Sequence, residues 1–251
     1  MCNHISAFRI SLPPSPSAFF IFNLMHNGSG TASCFFQEFF DGWLVRQQHC
    51  LQELLSLYRD QHTHEFQNDD LKDVVTRILA HYEQYYQEKS RLAHRNIYLV
   101  FSPPWFTPFE RTFLWIAGFK PALTYRVLHT SVLDLSEEQR QLIGRLKEET
   151  KLVEKMLHDE MARVQESVAS PPLLEWAKRH GRMMDGETRS EGSAIERIGL
   201  EMEAVVGRAD ALRMSTVMRV VEILTPKQNV KFLTAVTELQ SKIRNIGMQR
   251  R

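Results

Sequence analysis

The chain is predicted to be all-α: a bundle of long amphipathic helices around a short aromatic helix, with no significant sheet. Three observations predict it. Apolar residues keep a 3.6-residue period over several long stretches. Helix-start signatures, with a Ser or Thr cap and a Glu or Gln three residues on, precede the aromatic stretch and two of the long helices. Only Ile97 to Phe101 approaches the two-residue alternation of a strand.

The aromatic helix belongs to YLVFSPPWFTPFERTFLWIAGFKPAL, residues 98–123. Thr107 is its expected N-cap, Pro108 sits at the first helical position, and Glu110 lies three residues beyond the cap. Phe109, Phe113 and Ala117 then recur four residues apart, with Trp115 and Ile116 beside them, and Gly118 and Pro121 end the run. Trp115 is expected to be buried in this plug.

The other elements follow in order. Residues 1–34 carry one charged side chain, Arg9, and crowd prolines at 13–16, and read as a disordered or leader-like extension. From Phe35, the positions Phe36, Phe40, Trp43, Leu44, Leu51, Leu54, Leu55 and Tyr58 form a helical stripe. Asp60 to Asn68 is a polar break. A second helix starts near Asp69 and carries Leu71, Val74, Val75, Ile78, Leu79, Tyr82, Tyr85, Tyr86 and Leu92.

Ser136 and Gln139 form a capping box, with Glu137 and Glu138 where the helix dipole favours acids. The stripe of that helix runs from Leu142 to Val168, and Ser170-Pro171-Pro172 stops it and starts a short helix through Trp176. Residues 181–193 form a flexible loop of glycine and mixed charge. A long helix is expected from about Ala194 to Leu224, then a Thr225-Pro226-Lys227-Gln228 start and a last helix through Ile246. The body is therefore one helical domain over 35–247, with a basic tail at 248–251.

Composition narrows the function. The 251 residues suffice for one or two domains with a real core. Charged residues make up 24% and hydrophobics 43%, as in ordinary globular proteins. A net charge of +1 argues against a chain dominated by nucleic-acid or membrane electrostatics. Cys2, Cys34 and Cys50 form no CxxC, so neither a disulfide framework nor a zinc site is expected, and a reducing compartment is the simple reading. No apolar run approaches the ~18 residues of a transmembrane helix.

Candidate chemistry is sparse. His62, His64 and Glu65 lie in a polar break without a third ligand at helical spacing, and read as surface residues. His81 shares a helix with three tyrosines and reads as aromatic packing. His158, Asp159 and Glu160 are consecutive and point to different faces. The acids at 137, 138, 148 and 149 find cations three or four residues away, as surface ion pairs do. Cys50, inside a helix with no acid close in sequence, reads as an ordinary thiol. GxGxxG, P-loop, GxSxG and HExxH motifs are absent, so no enzyme and no cofactor are expected. Trp43 and the cluster Tyr82, Tyr85 and Tyr86 are candidate partner contacts. Lys242, Arg244, Arg250 and Arg251 are candidate weak phosphate contacts at a basic helix end.

The segments FFQEFFDGWLVRQQHCLQELL, LKDVVTRILAHYEQYYQEKSRLA, SPPWFTPFERTFLWIAGFKP and ADALRMSTVMRVVEILTPKQNVKFLTAVTELQSKIR together resemble the plant delay-of-germination domain. That domain stands alone in germination and dormancy regulators and forms the C-terminal part of TGA-type bZIP transcription factors. The resemblance covers roughly residues 35–247. It implies a non-enzymatic plant regulator that modulates transcription or hormone-linked development such as seed dormancy, in the nucleus or cytoplasm. The partners it implies are proteins: a second copy in a homodimer, or a TGA-type factor, with DNA met indirectly or weakly. The basic zipper of the TGA factors is missing here, so direct DNA reading is not carried over. Some germination-type members are linked to haem through C-terminal histidines, and Thr225 to Arg251 contains none. Two alternatives stand beside the leading one: a transcription factor-like protein binding specific DNA through or alongside a TGA-type partner, and a sensor of a small ligand such as haem or lipid.

Overall fold

The computed structural model describes residues 30–60, 67–169 and 188–250. Within them the chain forms α1 (Gly30–Asp60), α2 (Asn68–Arg95), α3 (Ile97–Phe101), α4 (Pro108–Arg111), α5 (Leu123–Ser131), α6 (Glu137–Ser167), α7 (Thr188–Ile223) and α8 (Pro226–Gln249). No strand occurs among the described residues, and the fold is all-α. The long helices α1, α2 and α8 pack on one another, α6 packs along α7, and α7 meets α2.

Three helix starts are written in their own sequence. Thr107, Ser136 and Thr225 each accept a hydrogen bond from the backbone N–H three residues on, and Glu110, Gln139 and Gln228 each accept one in turn from the cap's own N–H. Such caps stabilise a helix start by about 1 kcal/mol. Gln139 and Gln228 do more: the Nε2 of Gln139 donates to Oε1 of Gln228 at 2.8 Å, which ties the start of α6 to that of α8.

Two apolar clusters fill the bundle. One joins Phe36, Phe40 and Trp43 of α1 to α3, Trp105, Leu157 and Met161 of α6, and Val205, Val206 and Ala209 of α7. The other joins Leu54, Leu71, Ile78, Tyr125, Leu128, Ile143, Val220 and Phe232. Side chains such as Leu54, Leu71 and Ile78 are wholly buried, each worth ~1.5–3 kcal/mol of transfer free energy. Tyr82 packs against both clusters.

The aromatic stretch departs from its sequence reading. Its helix is a single turn that ends at Arg111, short of Gly118. Beyond it the chain enters a tight turn, in which Trp115 and Gly118 exchange backbone hydrogen bonds and Ile116 and Ala117 take left-handed φ of 44° and 58°. The cause lies on another helix. Arg213 of α7 donates to the carbonyls of Trp115, Ile116 and Phe119, taking acceptors that a continued helix would need. A methyl group on Gly118 would lie 2.7 Å from the guanidinium carbon of Arg213, so the close approach needs glycine there. Ile116 and Ala117 are buried, Trp115 is half-buried, and Phe113 is 42% exposed. The tryptophan at the centre of the core is Trp105, before the cap.

Other boundaries move as well. Ile97–Phe101, the nearest approach to a strand, is a short helix because Asn96 Oδ1 accepts the backbone N–H groups of Tyr98 and Leu99. Helix α5 had no sequence reading. Helix α1 begins at Gly30, before Phe35, and α7 begins at Thr188, within the expected loop. The proposed extension up to residue 29, the histidines at 62 and 64, and the short helix through Trp176 lie outside the described residues.

Candidate functional site

The site is built where α1, α2 and α8 meet the aromatic turn. Phe36, Phe40 and Trp43 follow one another along α1 at helical spacing, and the Trp43 ring lies flat on His81 of α2, with centroids 4.5 Å apart and planes at 8°. Trp43 Nε1 donates to the His81 carbonyl at 2.9 Å. His81 Nε2 stands 2.9 Å from Gln47 Oε1, while Gln47 Nε2 donates to Tyr82 Oη and to Gln240 Oε1. An amide oxygen only accepts, so the imidazole carries a proton on Nε2. Burial, with the nearby Arg46 cation, pulls His81 down to about 4. Tyr82 Oη also donates to Gln240 Oε1 at 2.9 Å and lies 3.1 Å from Thr237 Oγ1. Its phenol, withdrawn from water, is pushed up to about 12.

A buried charge cluster stands two helical turns further along α2. Lys89 Nζ donates to Asp210 Oδ1 at 2.8 Å, and Arg213 Nη1 donates to the same oxygen at 2.5 Å. The Lys89 and Arg213 side chains are 2% and 5% exposed. Burial pulls Lys89 down to about 8 against the opposing pull of Asp210. Burial also raises the hydroxyls of Tyr85 and Tyr86 well above the ordinary phenol range. Below them, Arg244 of α8 donates to Glu110 Oε1 at 3.1 Å and to the Trp105 carbonyl, with its guanidinium 5.2 Å from the centre of the Phe40 ring.

Two cavities open among these groups. The first, about 270 Å³, is walled by Phe40, Trp43, Tyr85, Phe106, Leu114 and Lys89. The second, about 280 Å³, is walled by Val217, Val236, Leu239, Met214 and Arg213. Tyr82, Tyr86, Phe119, Gln240 and Ile243 line both and form the partition between them.

The structure brings the four candidate contact residues together: Trp43, Tyr82, Tyr85 and Tyr86 all line the first cavity. Trp43 is buried and the tyrosines are half-buried, and the Tyr82 hydroxyl bonds inward. Of the candidate phosphate contacts, the three described residues are engaged separately. Arg244 is a correction: its side chain is 19% exposed and turned inward to Glu110. Lys242 pairs with Glu238 four residues back, Arg250 stacks over Phe109, and Arg251 lies outside the described residues. The sequence reading missed Lys89, Asp210 and Arg213. One signal was available: Lys89 lies on the same face as Tyr82 and Tyr85, seven and four residues before it.

The remaining polar candidates occupy ordinary positions. Lys151 pairs with Glu148 and Arg140 with Glu137 along α6, while Glu149 and Glu160 reach across to Arg219 and Arg208 of α7. Burial pushes the Cys50 thiol up, with the Glu53 carboxylate adding to it, which disfavours a thiolate. Among the described residues, no group of three His, Cys, Asp or Glu side chains could hold a metal ion, and no helix is long and apolar enough to cross a membrane.

Fold and site define an all-helical domain with an aromatic recess and a buried ionic cluster. The model of the seed dormancy control family, DOG1, matches residues 50–130. Along its length the chain is similar to Protein RESPONSE TO ABA AND SALT 1 of Arabidopsis thaliana, 37% identical over 231 residues that cover 90% of this chain and 100% of that protein. Protein ZW2 of the same plant is 37% identical over 218 residues, covering 85% of this chain and 96% of that one. Transcription factor TGA2.3 of Oryza sativa subsp. japonica is 28% identical over 231 residues, covering 88% of this chain and 66% of the factor. The chain belongs to the DOG1 seed dormancy control family.

Proposed function

We propose that this protein is a non-enzymatic regulator that acts by binding other proteins, either a second copy of itself or a TGA-type factor, and so modulates transcription or hormone-linked development such as seed dormancy. The observation that carries the reading is the span of the similarity. Nearly nine tenths of the chain or more matches the whole of a protein named for its response to ABA and salt and about two thirds of transcription factor TGA2.3. A domain found both alone and within transcription factors suits a shared interaction module. Such a module works in the nucleus, the cytoplasm or both.

The site agrees with that reading. The polar groups of His81, Gln47, Tyr82 and Gln240 bond to one another in a closed network. A general acid or base needs a free titratable group near neutral pH; His81, held near 4, does not supply one, and Lys89, pulled down to about 8, is engaged by Asp210. At the C-terminal end of α8, Lys242 pairs with Glu238, Arg244 with Glu110, and Arg250 just beyond the helix lies over the Phe109 ring, which favours an indirect role at DNA.

The test is affinity purification of the tagged chain from plant nuclei with identification of the bound proteins, joined to light scattering of the pure protein. A TGA-type factor in the eluate, or a dimer in solution, is expected. A strict monomer with no such factor recovered would overturn the proposal. A salt-dependent shift of a TGA-type DNA element by the protein alone would favour direct DNA binding instead.

A further inference from the structure

Helix α6 carries an apolar patch on its outer side. Leu152, Val153 and Met156 lie within little more than one turn of each other and are 63%, 38% and 62% exposed. The inward face of the helix is complete without them, with Ile143, Leu146 and Leu157 buried there. A single exposed apolar side chain is ordinary on a protein surface, whereas three neighbours leave a continuous apolar strip against water. The charges around the patch have a definite order. Arg145, Leu152 and Asp159 are spaced by seven residues, so they drift only ~20° per step round the helix and form one row: cation, apolar, anion. Glu148 and Lys155, also seven apart, form a second row at its edge: anion, then cation. The side chains of Glu148, Lys155 and Asp159 are 70%, 73% and 47% exposed. Arg145 is exposed too, with no ion pair to another described residue.

We propose that this face of α6 docks on α6 of a second copy of the chain, antiparallel and centred on Leu152. The inference rests on the reading above that the chain binds a second copy, and it supplies the surface and the register. An antiparallel copy with its Leu152 on Leu152 reverses both rows. Arg145 then meets Asp159 of the second copy, and Glu148 meets its Lys155, each pair formed twice by the two-fold symmetry. A parallel copy would set Arg145 on Arg145 and Lys155 on Lys155, like charge on like. Charge therefore selects the antiparallel arrangement.

The pairs already made along α6 do not forbid it. Glu148 holds Lys151 and Asp159 holds Lys155, each at 2.7 Å and in water. A carboxylate has a second oxygen and an ammonium two further hydrogens, so each keeps its neighbour while meeting the group across. Glu149, at the other edge of the face, is paired with Arg219 of α7 and brings no unpaired charge to the contact. Leu152 and Met156 supply the attraction, and the charges set orientation, because exposed ion pairs add little affinity. The face from Arg145 to Asp159 is ~21 Å long and one helix wide, short of the ~1,600 Å² of a standard interface. The dimer is therefore weak and depends on concentration.

The experiment is sedimentation equilibrium of the whole chain up to hundreds of micromolar, beside Leu152→Lys, Arg145→Glu and Asp159→Arg variants matched to wild type by circular dichroism. The wild type is expected to dimerise, and Leu152→Lys to weaken the dimer roughly tenfold or more. Arg145→Glu sets an acid against Asp159, and Asp159→Arg sets a cation against Arg145, so each alone should dimerise several-fold more weakly. Mixed in equal amounts, these two variants should pair as well as wild type, because each carries the charge that the other needs. Single variants that dimerise like wild type, or a mixture no tighter than its components, would overturn this face and register while leaving self-association standing. A wild-type chain that stays monomeric throughout would overturn the face and the self-association together. Binding of a TGA-type factor is read separately, by adding purified TGA2, and does not depend on either result.

Discussion

Lys89 Nζ and Asp210 Oδ1 stand 2.8 Å apart with 2% and 11% of their side chains exposed, and the two residues, on different helices, lie 121 positions apart in the chain. Asp210 is the only carboxylate between two buried cations among the described residues of this cluster. Replacing Asp210 with Asn should therefore cost ~3–5 kcal/mol, the loss typical when one partner of a buried ion pair is removed. Lys89→Met should cost less, because it leaves the Asp210–Arg213 pair intact. Urea midpoints of the two variants check the order. Equal midpoints would show that Asp210 does not compensate both cations.

Acid should weaken the fold through His81. In the unfolded chain this histidine takes its proton near 6.5, and in the folded protein only near 4. Between those values the unfolded state binds more protons, so stability is lost as pH falls from 6.5 toward 4. His81→Phe keeps a ring on Trp43 and should flatten that part of the profile. Denaturant midpoints from pH 7 to pH 4 check it, and a variant profile as steep as the wild type would assign the acid sensitivity elsewhere.

Close approach of α8 to the aromatic stretch depends on Gly247. A methyl group there would lie 2.1 Å from Thr107 Oγ1, the atom that caps α4. Gly247→Ala gains helix propensity yet should still lose ~1–3 kcal/mol through overpacking. Thermal unfolding measures the sign. A variant more stable than wild type would show that α8 can shift at no cost.

The two tryptophans of the aromatic stretch should differ. Trp105 is 3% exposed and packs tilted against Phe36 with ring centroids 4.3 Å apart, so Trp105→Ala should cost ~3–5 kcal/mol. Trp115 is half-buried beneath the Arg213 guanidinium, and its truncation should cost clearly less. Equal losses in denaturant midpoint would restore Trp115 to the core position that its spacing suggested.

These contrasts mark what the sequence could and could not reveal. The capping boxes at Thr107, Ser136 and Thr225 were legible because a cap and its return hydrogen bond lie three residues apart. The stripes of α1, α2 and α6 were legible for the same reason, since helical period is a local property. The end of α4 was not, because Arg213 lies about a hundred positions from the carbonyls it takes. Arg244 read as part of a solvated basic end, and only the fold shows Glu110 waiting 134 positions upstream. Tyr82, Tyr85 and Tyr86 were singled out as a cluster from their spacing. That they wall a cavity with Trp43 follows from the packing of α1 and α8 against α2.

The central claim is that this domain regulates by binding another protein. Sedimentation velocity of the purified chain alone, and mixed with purified Arabidopsis TGA2, tests it most directly. A concentration-dependent dimer, or a faster boundary containing both proteins, is expected. A chain that stays monomeric at every concentration and sediments independently of TGA2 would contradict it.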